Sequence, residues 1–352
     1  MKSLQIIEDD FMTFSRDQFK QKMWKDHIEK GNFTLSLEYI DLFKLERLSM
    51  SFFTGWLDKR LVFICFISTV AHKIAGIEMH IAMIGAPKTN GKAFWYNEDQ
   101  ISYVNFICEM QAILKKRFKF QFFLLKEFSA EHDHVQLLQN QELGFINHHA
   151  LIKSYLNIGS FESFEDYFNV LPSKKRNYFK GILKHTKTPN VQISVSNLIP
   201  ESVGEIYNLY IATNKNAKET RTAALSESLF LGLCKSSIQI KVVAYKLDNR
   251  LIAFGLMFVN DWEVKCLFTG FDYKFAKAHH LWYQIMLESI RFAINQKCFH
   301  IDMGSSSAAM KDKFLALHED LYISVLFRNK LLTKVFNRPI KYFLDKILKP
   351  AK

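Results

Sequence analysis

Cysteine is scarce in this 352-residue sequence, and its five cysteines are widely spaced, at Cys65, Cys108, Cys234, Cys266 and Cys298. No C-x-x-C pair occurs, and the number of cysteines is odd. Such a set is typical of reduced core cysteines in a cytosolic protein rather than of a disulfide framework. We therefore expect a cytoplasmic protein.

Long apolar segments are also missing. The longest apolar run, residues 61–71, is too short to span a bilayer and is followed by His72 and Lys73. We predict that it is a buried strand. Residues 1–11 contain acidic side chains and no apolar core, so we expect no signal peptide.

Several catalytic signatures are absent. The lack of G-x-S-x-G disfavours an α/β-hydrolase, and the lack of G-x-G-x-x-G after a strand disfavours a nicotinamide enzyme. The 12 histidines include no H-E-x-x-H motif, and we predict no metal site. A Walker A loop is excluded because Ala309 and Met310, not a glycine, precede Lys311.

The sequence does have an ordinary globular composition with an excess of positive charge. Hydrophobic residues make up 49% and charged residues 23%, so the chain can bury a sizeable core, and its length suggests two domains. The 33 phenylalanines indicate a bulky aromatic core. The formal net charge of +12 favours an anionic partner: a nucleic acid, a lipid surface or a phosphorylated cofactor.

The spacing of apolar residues predicts a mixed α/β (α+β-like) fold in two lobes, 1–160 and 161–328, with a basic amphipathic tail at 329–352. In the first lobe it predicts helices at 17–29, 35–48 and 102–117 and strands at 50–56, 61–71 and 118–125. In the second lobe it predicts helices at 161–171, 173–185, 201–214, 226–234, 276–296 and 308–317. The strands predicted there are 191–195, 238–247, 251–259, 264–271, 298–303 and 321–327.

Three segments of the second lobe carry recognisable motifs. Residues 161–176 contain an F-x-x-F helix, a short turn and a basic helix; residues 271–283 lead from a strand into the long helix; and Ile301-Asp302-Met303-Gly304 is followed by Lys311. Together they resemble the FemAB-like members of the GNAT-type acyltransferases. The order of elements (two helices, a three-stranded meander, helix, strand, helix, strand) is similar to a GNAT lobe.

This resemblance implies tandem GNAT-like lobes, each a mixed sheet flanked by helices, with residues 1–160 as a degenerate lobe. It implies transfer of an acyl or aminoacyl group to an amine, from acyl-CoA, from an acyl carrier, or from aminoacyl-tRNA as in relatives that build peptidoglycan branches. The donor stays open, since His279-His280-Leu281 replaces a Ser-Pro-Gly-like sequence of many relatives and the compact pyrophosphate loop of small GNAT enzymes is absent.

Lys311 and Asp302 are the leading catalytic candidates. The resemblance implies a lysine at position 311 that contacts the donor or the developing oxyanion; the alternative is a solvated lysine near a helix end. Asp302 ends an apolar strand, where a carboxylate must be paired or face a cleft. It is expected either to orient the amine or the lysine, or to cap the helix that follows Gly304.

The base that removes the amine proton is less well defined. His280 or His279 is suited to this role near neutral pH, but adjacent helical residues point about 100° apart, so only one faces a site. Tyr283 and Tyr273 are further candidates.

Anion binding is predicted at two places. Gly304 is expected to form a turn with positive φ, and Ser305 and Ser306 to cap the next helix or bind an anion at its N-terminus. Arg176 and Lys180 begin a basic stripe that continues to Lys184 and Lys187. This stripe is suited to phosphates of a tRNA or a nucleotide, although it is also what a solvated helix face looks like.

Three functions remain open at this point. The first is a cytoplasmic N-acyltransferase using a thioester donor, with a cleft between or within the lobes; the second is an aminoacyl-tRNA-dependent transferase acting on a peptidoglycan precursor. The third is a non-catalytic module that binds anionic lipid or nucleic acid. The basic tail is expected either to contact an anionic membrane peripherally or to pack back on its lobe.

Overall fold

The computed structural model describes residues 4–46, 48–74, 77–216, 224–305 and 307–329. Within these residues the chain divides into two compact units, one formed by 4–151 with 320–329 and the other by 152–319. The sequence placed the boundaries at 160 and 328. Residues 330–352, which include nearly all of the predicted basic tail, lie outside the described chain.

The first unit contains both helices and strands. They are β1 (Gln5–Asp9), α1 (Phe11–Phe14), α2 (Gln18–Trp24), α3 (Leu37–Leu42), β2 (Ser49–Leu57), β3 (Arg60–Ile74), β4 (Ile77–Ile84), β5 (Phe94–Tyr96), α4 (Tyr103–Arg117), β6 (Phe122–Ser129), α5 (His134–Glu142) and the start of β7 (Ile146–Asn157). The end of the last strand, from residue 320 onward, returns to this unit.

The second unit contains the following elements: α6 (Phe164–Val170), α7 (Ser173–Lys184), β8 (Val191–Asn197), α8 (Pro200–Asn216), α9 (Glu227–Lys235), β9 (Ile240–Leu247), β10 (Arg250–Val259), β11 (Glu263–Phe271), α10 (Tyr273–Ala276), α11 (Leu281–Asn295), β12 (His300–Asp302), α12 (Ala308–Lys311) and the start of β13 (Leu317–Phe327). Within the described ranges, no helix is both long enough and apolar enough to cross a membrane.

The two units repeat one topology. In the first unit the strand order is β1-β2-β3-β4-β6-β13-β7, with β5 beside β3, and in the second it is β7-β12-β11-β10-β9-β8. Each unit has an antiparallel meander, then a helix, then a strand parallel to the third meander strand: β2-β3-β4-α4-β6 and β9-β10-β11-α11-β12. This confirms the predicted mixed α/β fold with tandem GNAT-like lobes.

Turn chemistry explains the hairpins that the sequence predicted. Asp58 and Lys59 join β2 to β3 with φ of 48° and 64°, and Asp248 and Asn249 join β9 to β10 with φ of 50° and 64°. Two consecutive residues with positive φ give the turn whose twist matches a two-residue hairpin. The same turn geometry therefore begins the meander of both units.

Helix α11 forms the apolar centre of the second unit. Its buried side chains include Leu281, Ile285 and Ile290, which join the core of the sheet. Helix and sheet approach closely at Gly255, where a Cβ atom would lie 2.5 Å from Ile285. The close approach fixes the position of α11 relative to β10.

The observed helices and strands differ from the predictions in several places. The helix predicted at 276–296 begins later, at Leu281, because His280 adopts a left-handed conformation with φ of 50°, and the short α10 precedes it. The helix predicted at 308–317 ends earlier, as a 3-10 turn follows α12 and Leu315 has φ of 65°. The sequence analysis missed β1, α1, β4, β5, α5 and all of β7.

Candidate active site in the second unit

The parallel strands β11 and β12 separate after a short ladder. Their pairing covers Glu263 with His300, Val264 with Ile301 and Lys265 with Asp302. Strand β12 then ends, whereas β11 continues from Cys266 to Phe271. Among the described residues this later part of β11 has a ladder partner only in β10. At the far end of its other edge, the backbone N–H of Phe271 donates to Thr213 Oγ1 at 3.0 Å. Residues 266–270 are therefore the part of this edge that is able to pair with an extended ligand.

Asp302 and Lys311 lie where the strands separate, and both side chains are buried. Each residue is only 1% exposed. The backbone N–H of Gly304 donates to Asp302 Oδ1 at 2.8 Å, and Lys311 Nζ donates to the carbonyl oxygen of Gly304 at 2.7 Å. Gly304 has φ of 80°, as predicted, and a Cβ on it would be 3.3 Å from the carbonyl oxygen of Cys266. The turn thus lies beside the first residue of the open β11 edge.

A second buried lysine balances the charge of Asp302. Lys265 Nζ lies 3.4 Å from Asp302 Oδ2 and 3.8 Å from Glu263 Oε2. Burial raises the pKa of Glu263, and burial followed by the nearby Lys153 lowers the pKa of His300. The sequence analysis missed Lys265, although a lysine inside the apolar run of β11 was a signal, because a buried charge must have a partner.

The predicted His280 and Tyr283 lie in a separate cluster of rings and one ammonium. Lys313 Nζ donates to Tyr283 Oη at 2.9 Å and lies 4.3 Å from the ring centre of Tyr178. The ring of His280 faces those of Tyr178 and His185, at centroid distances of 6.4 and 5.4 Å. The sequence analysis did not identify Tyr178 or His185, which come from α7 and the turn after it.

Charge and burial shift the pKa values of this cluster in both directions. The hydrogen bond that Lys313 donates to Tyr283 is the main cause that raises the pKa of Lys313. Burial, followed by the charge of His185, lowers the pKa of His280. Burial raises the pKa of Tyr178. The cluster therefore keeps a charged ammonium beside a histidine that resists protonation.

The predicted basic stripe is only partly free to bind a ligand. The guanidinium of Arg176 donates to the carbonyl oxygen of Asn169 at 2.9 Å, which ties α7 to the end of α6. Lys180 and Lys184 are exposed, and the side chain of Lys187 lies outside the described chain. A phosphate-binding role for Arg176 and Lys180 stays a prediction.

The serines after Gly304 lie in a short connection. Ser305 is partly buried, and Ser306 lies outside the described residues. Ser307 has φ of 58° and makes no side-chain capping bond to α12, which has four residues. Helix α12 therefore has too few residues to form a strong N-terminal anion site, and the roles of Ser305 and Ser306 stay predictions.

The corresponding place in the first unit is filled by its own chain. Strands β4 and β6 pair over Ile81–Met83 and Phe122–Leu124. Lys126, on β6, then donates to the carbonyl oxygens of Ala86, at 2.8 Å, and Thr89. These bonds hold the loop after β4 against the strand. The second unit is therefore the better candidate for a donor site.

The geometry of the chain is similar to that of several solved structures. FemX superposes with a TM-score of 0.61 at 9% sequence identity, over 95% of this chain and 100% of that one. A tandem GNAT protein from the clavulanic acid biosynthesis pathway, without AcCoA, gives 0.58 at 8% identity, over 93% and 99%. L-PGS from Bacillus licheniformis gives 0.52 at 13% identity, over 82% and 87%.

At these identities the likeness establishes the fold: the chain has the tandem GNAT-like fold expected from its FemAB-like motifs. No protein-family model matches the chain, and a search of curated proteins finds no sequence match.

Proposed function

We propose that this chain transfers an acyl or aminoacyl group from an activated donor to an amine, and that its second unit holds the reacting groups. The observation that carries the proposal is the separation of β11 and β12. An open backbone edge there begins at Cys266, beside the Gly304 turn that accepts a hydrogen bond from Lys311. Acyl transfer needs this combination of a donor site and a group that stabilises the oxyanion.

The open edge of β11 would hold the donor. A strand edge forms backbone hydrogen bonds with any extended molecule that carries amide groups. The arm of an acyl-CoA or of an acyl carrier is such a molecule. Bound along residues 266–270, the arm would bring its thioester toward the Gly304 turn.

Lys311 would stabilise the oxyanion. Its ammonium donates to a backbone carbonyl of a glycine turn, and a shift of that turn would direct it to the acyl oxygen. A positioned cation in a buried site acts strongly on a developing negative charge. Asp302 would act on the same turn through the N–H of Gly304. Of the two roles predicted for Asp302, this bond favours the one that orients the lysine.

The cluster of His280, Tyr283 and Lys313 would bind the anionic part of the donor. These residues lie at or near the beginning of α11, where the helix dipole favours negative charge. Gln284 Nε2 donates to the carbonyl oxygen of Ile182 at 2.7 Å, so the exposed lysines of α7 lie near the same helix end. Phosphates of a nucleotide or of a tRNA end are suited to such a surface.

An aminoacyl-tRNA donor is the second candidate, and the net charge of +12 favours it. A peptidoglycan precursor would then be the acceptor. The third candidate is a non-catalytic module that binds anionic lipid or nucleic acid.

A membrane contact of the basic tail is proposed separately, and flotation with anionic vesicles tests it. Equal binding by the full chain and by a chain ending at Phe327 would rule out the contact.

Thermal-shift and intact-mass measurements on the full chain separate these candidates. The donors are short-chain and long-chain acyl-CoAs, an acylated pantetheine carrier and an aminoacyl-tRNA mimic. We expect stabilisation by a thioester donor and transfer of its acyl group to an added amine. Stabilisation by the tRNA mimic alone would favour aminoacyl transfer. If no donor stabilises the protein, and binding to lipid or nucleic acid falls steeply with salt, the transferase proposal is wrong.

A further inference from the structure

A serine, a histidine and an aspartate of the second unit are joined by hydrogen bonds. Ser154 Oγ lies 3.0 Å from Nδ1 of His318, and Nε2 of His318 lies 2.7 Å from Oδ1 of Asp312. Ser154 belongs to β7, His318 to β13, and Asp312 to the turn after α12. Three elements thus bring together three residue types that are suited to moving a proton.

The carboxylate of Asp312 sets the tautomer of the histidine. An ionised carboxylate only accepts hydrogen bonds, so the neutral imidazole must carry its proton on Nε2 and donate it to Asp312. Nδ1 is then the free acceptor, and the hydroxyl of Ser154 donates to it. The hydrogen bonds therefore all run in one direction, from the serine hydroxyl through the imidazole to the carboxylate.

This series of hydrogen bonds begins at the proposed reaction centre. The backbone N–H of Ser154 donates to the carbonyl oxygen of Gly304 at 3.1 Å, and the same oxygen accepts the bond from Lys311. Ser154 is fully buried, whereas the side chain of Asp312 is 62% exposed. The three residues thus link the buried surroundings of Lys311 to solvent.

We propose that Ser154, His318 and Asp312 are a proton relay that removes the proton of the acceptor amine. The inference rests on the proposed acyl transfer. As the amine nitrogen bonds to the acyl carbon, its proton passes to Ser154 Oγ while the serine proton passes to His318 Nδ1. The bond from the acyl carbon to the donor atom breaks, and its electron pair leaves with that atom. The imidazolium gives its proton to solvent, and the leaving atom takes one from solvent.

The burial of Ser154 favours a relay over a nucleophile. A serine nucleophile needs room for a tetrahedral carbon at Oγ, whereas a relay needs only that the N–H of the amine reach Oγ. The second proton transfer then follows the existing hydrogen bond between Ser154 and His318. The charged groups around the histidine agree with this role. The carboxylate of Asp312 contacts the imidazole, and Lys175 reaches the backbone carbonyl of Asp312 rather than its carboxylate. Lys153 and Glu319 are the charged neighbours of Ser154 and His318 along their strands.

The direct test replaces His318 with a residue that keeps hydrogen bonds but takes up no proton. In His318→Gln we expect kcat to fall about 100-fold or more, the typical worth of positioned acid–base catalysis. The rise of kcat/KM with pH that depends on the histidine should disappear. His149→Gln is the matched control, since His149 also pairs with a carboxylate, Asp320, at 2.9 Å. Its pH profile should match that of the wild type.

Each outcome decides between the possibilities. An unchanged pH profile in His318→Gln would overturn the relay. A fall in kcat/KM that is equal at every pH and comes from a higher KM alone would also overturn it. An acylated Ser154 in the intact mass would replace the relay with a nucleophile. If the wild type transfers no acyl group, the proposed function is wrong, and this result is distinct from a failure of the relay. Nitrogen-15 NMR of the full chain then still tests the relay, because a proton on Nδ1 of neutral His318 would contradict it.

Discussion

Asp302 and Lys311 are linked through a single residue, Gly304, whose N–H donates to the aspartate and whose carbonyl accepts from the lysine. The two side chains are nine residues apart in the chain, and both are held by one peptide turn. The conformation of Gly304 therefore controls the positions of both candidate catalytic groups.

Gly304→Ala should reduce both stability and activity. A residue with a side chain is disfavoured at φ of 80°, and its Cβ would be 3.3 Å from the carbonyl oxygen of Cys266. We expect a loss of about 1–2 kcal/mol in the free energy of unfolding, measured in urea, with a larger fall in transfer rate. Gly181→Ala is the control: Gly181 lies inside α7 with no atom within 4 Å of a Cβ, and alanine there should stabilise by about 0.5–1 kcal/mol. Equal effects of the two substitutions would contradict the account.

Asp302→Asn should destabilise the protein because it leaves Lys265 buried without its closest carboxylate. Removing one partner of a buried ion pair costs about 3–5 kcal/mol, and Glu263, at 3.8 Å from Lys265, should keep the loss near the lower value. Adding Lys265→Met should restore most of the loss. Chemical denaturation of both single variants and the double variant measures the coupling. Glu288→Gln, at the more exposed pair with Arg291, serves as the control and should cost less than about 0.5 kcal/mol. Strict additivity of the two buried substitutions would show that the pair does not interact.

Glu263→Gln should change how stability depends on pH. Burial raises the pKa of Glu263 above its ordinary value of 4.5, so the folded state holds this proton more tightly than the unfolded state. Its contribution to stability is complete below pH 4.5 and is lost as pH rises through the higher folded pKa. The wild type should thus lose stability over this range relative to Glu263→Gln. Urea midpoints between acidic and neutral pH provide the comparison, and parallel curves for the two proteins would refute the expectation.

Local sequence patterns predicted most of the second unit. Strands β9, β10 and β11 are mostly apolar, and polar residue pairs such as Asp248 and Asn249 mark the turn between β9 and β10. The elements that were missed lack such signals. Strand β5 has three residues, and α5 is a mostly polar helix whose buried residue is Asn140. The break at His280 was also missed, because a left-handed histidine has no local sequence signature.

Only the part of the candidate site that lies within one sequence motif was predictable. Asp302, Gly304 and Lys311 follow one another closely in the sequence and share a strand end and the next helix. The other residues of the site lie far apart in the sequence: Ser154 and His318 are separated by 164 residues. Contacts between such distant residues depend on strand pairing, which the spacing of apolar residues leaves open. For the same reason the sequence suggested His280 and Tyr283 as bases but gave no sign of the Ser154 and His318 pair.

The central claim is that Lys311 stabilises the oxyanion of an acyl transfer. Its most direct test is the rate at which the wild type and Lys311→Met move an acyl or aminoacyl group to an amine, followed by mass spectrometry with the donor that stabilises the protein. Lys297→Met, which removes a lysine bonded to the carbonyl of Glu162, is the control. The account predicts that Lys311→Met stays folded and loses about 100-fold to 1,000-fold in kcat, as expected for the loss of one oxyanion donor, while the control keeps its rate. A folded Lys311→Met with the wild-type kcat would contradict it.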